Sequence, residues 1–392
     1  MKRFLLPLSL SLLLSFAAHA EPWTAPLDQL RKVGPEGAGN AEAAAAWNAL
    51  TALGPEMLVP VLTAMEGASP LARNWMRTAV ETVFDRSLAA KASVPGEAIK
   101  TFVLDRKHEP NARRLAFELY AKLTPEEAAA LIPGFADDPS PALRRDAVAK
   151  MLEEGKAQLE AGDQAKSLAT LQAALDAARE VDQIDVVTKL LREKLGQKVD
   201  LPKHFGFLSH WHLIAPFDNT GRAGFDRVFS PEQEIQLVAE YQGKEGQPVK
   251  WQAYATPDDY GKVDFNQPFG PIKEVVGYAY TEFNAAEARD AQIRLGCKNA
   301  WKVWFNGELL FGRDEYHRGQ RIDQYSLPVK LKAGKNTILV KACQNEQTQD
   351  WTAQWEFQLR VCDATGTAIL ATDRQPTPEK AAPARRRPAK SE

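Results

Sequence analysis

The stretch GRDEYHRGQRIDQ, Gly312 to Gln324, gathers Arg313, Asp314, Tyr316, His317 and Arg318 into one short segment. Planar and charged hydrogen-bonding groups beside an aromatic ring suit a sugar. Its hydroxyls take polar partners, and its C–H face packs on a ring. Trp304 and Trp351 lie on either side in sequence and are the candidate aromatic platforms. Both have a plainer reading, since tryptophan is as often core as binding surface and charged residues on a long loop are commonly just solvated.

Two other places have the residue types for metal chemistry. In SHWHLI, His210 and His212 fall on one face of a strand, where two imidazoles can hold Zn²⁺. Only His204 or Asp218 is near enough in sequence to complete a set, so no zinc site is expected. The loop DNTGRAGFD offers Asp218 and Asp226 as candidates for a structural calcium, without the fixed spacing of an EF-hand, and an ordinary turn uses the same residues. No cofactor is expected otherwise. There is no nucleophile elbow, phosphate loop, dinucleotide fingerprint or His-Glu-x-x-His pair. Asp258-Asp259 and Glu126-Glu127 are sequence neighbours, whose side chains diverge rather than flank a scissile bond. The chain therefore reads as non-catalytic. The alternative is a glycan-processing hydrolase, or an accessory protein of a polysaccharide-degrading system, whose carboxylates carry no motif.

The elements that would position these residues change character near residue 200. Beyond it, apolar and polar residues alternate in HWHLIAPF, VKWQAYA, EVVGYAYTEF, AQIRLGC, WKVWFNGELLF, QYSLPVKL, NTILVKAC and AQWEFQLRVC, the pattern of an all-β sandwich. Asn306-Gly307 has the composition of a type I′ hairpin turn. Alternation places Trp301, Val303 and Phe305 inward and Trp304 outward beside Lys302. The same parity turns Cys343 and Cys362 outward and Cys297 inward, so any disulfide among the three cysteines is expected to join Cys343 to Cys362.

Before residue 200 the chain is rich in Ala and Leu at helical spacing. A phrase recurs in SPLARNWMRTAV, EPNARRLAFELY and SPALRRDAVAKM, where Pro70, Pro110 and Pro141 are each followed three residues later by Arg73, Arg113 and Arg144. Proline is tolerated at the first helical turn, and the residue before it caps the helix. The aligned arginines either line a concave face or bond neighbouring loops within a stack. LEEGKAQLEAGDQAKSLATLQAALDAARE reads as one further helical hairpin turning at Gly162-Asp163.

The first twenty residues have a positive start at Lys2 and Arg3, an apolar run and a small-x-small site at Ala18-His19-Ala20, the layout of a secretory signal peptide. Export to the periplasm or beyond the cell is expected, with no membrane span. The end, TDRQPTPEKAAPARRRPAKSE, lacks periodicity and reads as a disordered basic tail from residue 371 to 392. A net charge of −2 gives no general attraction to nucleic acid.

DPSPALRR, Asp138 to Arg145, resembles the Asp-Pro-x-x-x-x-Arg phrase of HEAT-type repeats, and the hairpin after it is tetratricopeptide-like. The succession IRLGCKNAWKVWFNGELLFG, LPVKLKAGKNTILVKA and WTAQWEFQLRVCDATG resembles a galactose-binding-like domain of secreted bacterial proteins. Together these imply an α+β multidomain chain: an N-terminal α-helical solenoid of HEAT- and tetratricopeptide-like hairpins over residues 21–198, then an all-β jelly-roll sandwich over 199–370. The second resemblance implies a module that often binds carbohydrate through loops at one end, sometimes with a structural calcium. The expected function is non-catalytic binding or scaffolding, with a protein partner for the helices and a glycan for the sandwich.

Overall fold

In the computed structural model, which describes residues 21–379, each recurring proline opens a helix: Pro70–Ala89, Pro110–Leu123 and Pro141–Glu160. Two of the starts are capped. Ser69 Oγ accepts from the Ala72 N–H at 3.2 Å and Glu109 Oε2 from the Ala112 N–H at 2.7 Å, each satisfying a donor that a helix start leaves without an intrahelical partner. The expected signal peptide and the last part of the expected tail, residues 380–392, lie outside the described residues.

The protein is α+β, with helices in the N-terminal half and antiparallel sheets in the C-terminal half. Among the described residues no helix is long and apolar enough to cross a membrane. Packing divides the chain after Lys150, inside helix Pro141–Glu160, into two compact units.

In the first unit, Met76, Val80 and Phe84 meet Leu115, Leu119 and Ile99 in one apolar core. Each arginine of the repeated phrase bonds a neighbouring part of the chain, Arg113 and Arg144 while buried and Arg73 while partly exposed. Arg73 pairs with Glu109 at 2.7 Å, which caps the next long helix. Arg113 takes Asp138 and the Val103 carbonyl, and Arg144 Nε donates to the Asp138 carbonyl at 2.8 Å. Of the two roles open in the sequence, bonding between neighbouring helices and loops is the one observed.

The second unit takes in the helices after Lys150 together with every strand, so the shift in packing comes earlier than the shift in texture near residue 199. Gly162 (φ 81°) makes the turn, and Asp163 caps helix Gln164–Ala177. Helix Val181–Lys189 and its surroundings are tied to loops of the strand region: Arg192 is bidentate to Asp259 at 3.0 and 3.1 Å, and Arg179 Nε donates to Thr367 Oγ1 at 3.1 Å.

Among the described residues twelve strands follow: β1 (His210–Asp218), β2 (Glu240–Gln242), β3 (Pro248–Lys250), β4 (Gln252–Ala255), β5 (Lys262–Asp264), β6 (Val275–Ala285), β7 (Arg289–Cys297), β8 (Ala300–Phe305), β9 (Glu308–Arg313), β10 (Tyr325–Leu331), β11 (Gly334–Gln344) and β12 (Glu356–Cys362). One sheet has the order β4-β1-β6-β11-β8-β9 and another β10-β7-β12-β5, while β2 and β3 form a small ribbon. The two larger sheets share an apolar core. Leu213, Ala279, Val303 and Val340 come from the first, and Ile293, Leu295, Phe357 and Leu359 from the second. Asn306 (φ 51°) and Gly307 (φ 84°) both adopt the positive φ of the expected hairpin turn between β8 and β9.

Outward does not mean exposed on the six-stranded sheet. Residues 225–251 lay Phe225, Phe229, Val249 and Trp251 over its outer face and bury Ile214, Tyr278, Leu339, Trp304 and Cys343 beneath them. Trp304 is only 9% exposed, so the platform expected there is a core residue. The disulfide expectation is corrected by the same layering. Cys343 belongs to β11 of one sheet and Cys362 to β12 of the other, each on the side away from the shared core. Packed sheets are about 10 Å apart, beyond disulfide reach even before the outward displacement. All three cysteines are free and buried.

The beginning of the expected tail is also held. The Thr372 N–H donates to the Asn284 carbonyl at 2.8 Å, Arg374 pairs with Asp200 at 3.3 Å, and Thr377 Oγ1 donates to Asp200 at 2.9 Å.

Candidate functional site

Register fixes which loops meet. Asp218 lies opposite Val275, Val275 opposite Gln344, Cys343 opposite Ala300, and Trp301 opposite Arg313. The ends of β1, β9 and β11 and the starts of β6 and β8 therefore lie at one end of the six-stranded sheet, and the segments after Asp218, Arg313 and Gln344 converge there.

Three expected residues come together in that cluster. His317 Nε2 bonds Asn345 Oδ1 at 2.7 Å, its ring meets Trp351 edge-on at 5.4 Å, and Tyr316 lies 6.1 Å from it. Trp351 is 60% exposed, an indole held at the surface. Its loop is fixed from below. Gln344 Nε2 and Lys273 Nζ donate to the Thr352 carbonyl at 3.1 and 2.8 Å, and Thr352 Oγ1 donates back to the Gln349 carbonyl at 2.7 Å.

The other expected residues lie apart or are spent elsewhere. Arg313 and Arg318 both turn to Glu315, at 3.1 and 3.3 Å, and Asp314 is exposed. Trp304 is under the covering layer. Asp218 accepts from the Thr220 hydroxyl and N–H and has Lys244 and Arg227 each at 3.9 Å. Asp226 points to Lys302 at 3.4 Å. Each aspartate has a lysine or arginine within 4 Å. Among the described residues no three His, Cys, Asp or Glu side chains are grouped to hold a metal, His210 and His212 included.

The cluster includes residues not singled out in the sequence. Arg222 makes a two-point contact with Glu346 at 2.5 and 3.1 Å and lies over the Tyr316 ring at 5.2 Å. The Arg222 hydrogen bonds hold the Glu346 carboxyl down at about 2. Asn219, fully buried, donates to Tyr316 Oη at 3.1 Å and to the Gln344 carbonyl at 2.9 Å. Burial pushes the Tyr316 hydroxyl up and the His317 imidazole down, so both are neutral at pH 7. Two buried polar atoms here have no partner, Asn219 Oδ1 and His317 Nδ1. Arg222 (φ 66°), Glu274 (φ 54°) and His317 (φ 56°) occupy left-handed backbone, the strain that gathers at binding sites. A signal for Asn219 and Arg222 did exist, because they belong to the same Asp- and Gly-rich loop that suggested calcium.

No family model matches this sequence, and no curated protein matches it. Among solved structures the chain is similar to a family 35 carbohydrate binding module from Clostridium thermocellum, at 15% identity over 23% of this chain and 72% of that one, with a TM-score of 0.18. It is also similar to a beta-glucosidase from Kluyveromyces marxianus, at 15% identity over 39% of this chain and only 16% of that one, TM-score 0.24. A third similarity is to an anti-sigma factor domain-containing protein, at 14% identity over 34% and 44% of the two chains, TM-score 0.24. Likenesses of this size identify neither a ligand nor an activity.

Proposed function

We propose that this chain is an exported, non-catalytic binding and scaffolding protein, periplasmic or extracellular. In this reading the N-terminal helices form a HEAT-type α-solenoid that receives a protein partner. The strands form a galactose-binding-like jelly-roll that binds carbohydrate at the strand-end loops. The observation that carries the reading is Trp351: a large indole, 60% exposed, standing edge-on to His317 on a loop pinned by Gln344 and Lys273. An exposed ring held rigid loses little entropy on stacking against a sugar. His317 beside it, and Arg222 and Glu346 in the same loop cluster, carry the kinds of donor and acceptor that hydroxyls need.

Glycan-array binding by the full chain tests this. Signal on at least one polysaccharide is expected, reduced at least roughly tenfold by Trp351→Ala, as for loss of one stacking anchor. A folded protein that binds no glycan, or binds equally with and without Trp351, removes the reading. Polysaccharide turnover abolished by one Asp or Glu substitution would replace it with the hydrolase.

A further inference from the structure

The four-stranded sheet carries a second cleft, on its outer face. Along β12, Phe357, Leu359 and Val361 enter the shared core, so Glu356, Gln358 and Arg360 face the other way. Residues of helix Val181–Lys189 and of the 320–322 loop line a cleft of about 420 Å³ with Glu356 and Gln358. That volume is in the range of small-molecule sites, roughly 300–1,000 Å³. The loop can lie so close because residue 296 is glycine, where a Cβ would stand 2.3 Å from the Arg321 carbonyl oxygen.

The lining has unused hydrogen-bonding capacity. Glu356 is 8% exposed, and Lys262, at 3.9 Å, is the one cation paired with its carboxylate among the described residues. Burial pushes this carboxyl up, and Lys262 pulls it the other way. Gln320 Nε2 donates to Gln358 Oε1 at 3.2 Å. That bond uses one donor and one acceptor, and it leaves Gln358 Nε2 and Gln320 Oε1 buried without a partner. Gln358 is 3% exposed, so water does not serve it freely. At the rim, Tyr260 Oη donates to Asp185 Oδ1 at 2.5 Å and fixes both side chains.

This donor–acceptor balance selects the ligand. A hydroxyl donates and accepts at once, so neighbouring hydroxyls can give protons to Glu356 or Gln320 Oε1 and take them from Gln358 Nε2 or Lys262. Lys262, Lys298 and Arg321 line the cleft together with Glu356 and Asp185, so both signs of charge are present and a neutral ligand with donors and acceptors suits it, whereas an apolar one leaves the buried amides unpaired. We propose that the cleft binds a monosaccharide-sized polyol through a pair of vicinal hydroxyls, at a site separate from the strand-end loops and independent of them.

Isothermal titration of the full chain with methyl β-D-galactopyranoside, methyl α-D-mannopyranoside and myo-inositol tests this, in wild type and in Trp351→Ala. At least one probe is expected to bind in the millimolar range or tighter in both proteins. Glu356→Gln is expected to weaken that binding roughly tenfold, the scale of one charged hydrogen bond. Asp185→Asn, at the rim and away from the sheet interior, gives a smaller loss, about threefold, with an unchanged melting curve. Binding that vanishes in Trp351→Ala assigns the ligand to the loops and overturns the cleft. So does binding indifferent to Glu356→Gln, or no saturable binding of any probe. Equal binding in wild type and Trp351→Ala that is lost in Glu356→Gln supports the cleft while removing monosaccharide binding from the loops.

Discussion

Arg113 grips both oxygens of the Asp138 carboxylate, Nη1 to Oδ1 at 2.7 Å and Nη2 to Oδ2 at 2.8 Å, with both side chains shut off from water. Asp138 also accepts from the Ser140 N–H at 2.8 Å, and its carbonyl takes Arg144 Nε. One carboxylate thus joins the start of one long helix to the start of the next. Removing it strands a buried guanidinium, a change that costs about 3–5 kcal/mol in comparable pairs. Asp138→Ala is therefore expected to lower the urea midpoint sharply. Arg73→Ala breaks a pair whose arginine is still 26% exposed and should cost about 1 kcal/mol or less. Equal effects of the two substitutions would contradict this ordering.

His204 makes the second unit sensitive to acid. Burial, helped by the charge of Arg179, lowers its imidazole to about 4, while its ring bonds the Ala178 carbonyl at 3.2 Å. Above pH 6.5 the ring is neutral in folded and unfolded chains alike. Between 6.5 and about 4 the unfolded chain takes a proton that the folded one refuses, so stability falls as the pH drops across that window. The loss reaches at most roughly 3 kcal/mol. His204→Gln keeps an N–H for the carbonyl and should flatten the thermal stability profile between pH 4 and 6.5; a profile unchanged by the substitution would discard this account.

The cysteines are a third case. Burial pushes the Cys297 and Cys343 thiols up to about 12 and raises Cys362 as well, so none offers a thiolate at neutral pH. Native protein isolated without reductant is expected to show three free thiols by mass. A thiol reagent should reach them only on unfolding. Detection of a Cys343–Cys362 crosslink would contradict the placement of these residues on two different sheets.

Much of this architecture is legible in local pattern. Alternation in NTILVKAC and WEFQLRVC places Val340 and Phe357 in the shared core, and Pro70 and Pro110 announce helix starts. The failures have one physical origin. Period two reports which side of a strand a residue takes, and it is silent about what covers that side. Cys343 and Trp304 are outward as read, but Phe225, from a turn-like loop, and Val249 and Trp251, from the stretch read as a strand, lie over them. The strand-end site was legible in the 312–324 loop and at Trp351, but not as one assembled cluster. Tyr316 and His317 are in it, whereas Asn219 and Arg222 arrive from about a hundred residues upstream and Glu346 from about thirty downstream, through the register of β1, β6 and β11, which no local spacing encodes.

Trp304 and Trp351 separate the two roles a tryptophan can take. Trp304 is 9% exposed and packed among Phe225, Trp251 and Leu339 under the covering layer, so Trp304→Ala opens a cavity there and should cost about 3–5 kcal/mol. Trp351 is 60% exposed and its loop is held by backbone contacts at Thr352 rather than by the indole, so Trp351→Ala should change stability by about 0.5 kcal/mol or less. Chemical denaturation of the two variants measures both values. If Trp351→Ala proves as destabilising as Trp304→Ala, the exposed indole is holding the strand-end loops together. Its surface position would then be a demand of folding and not a place kept for a ligand.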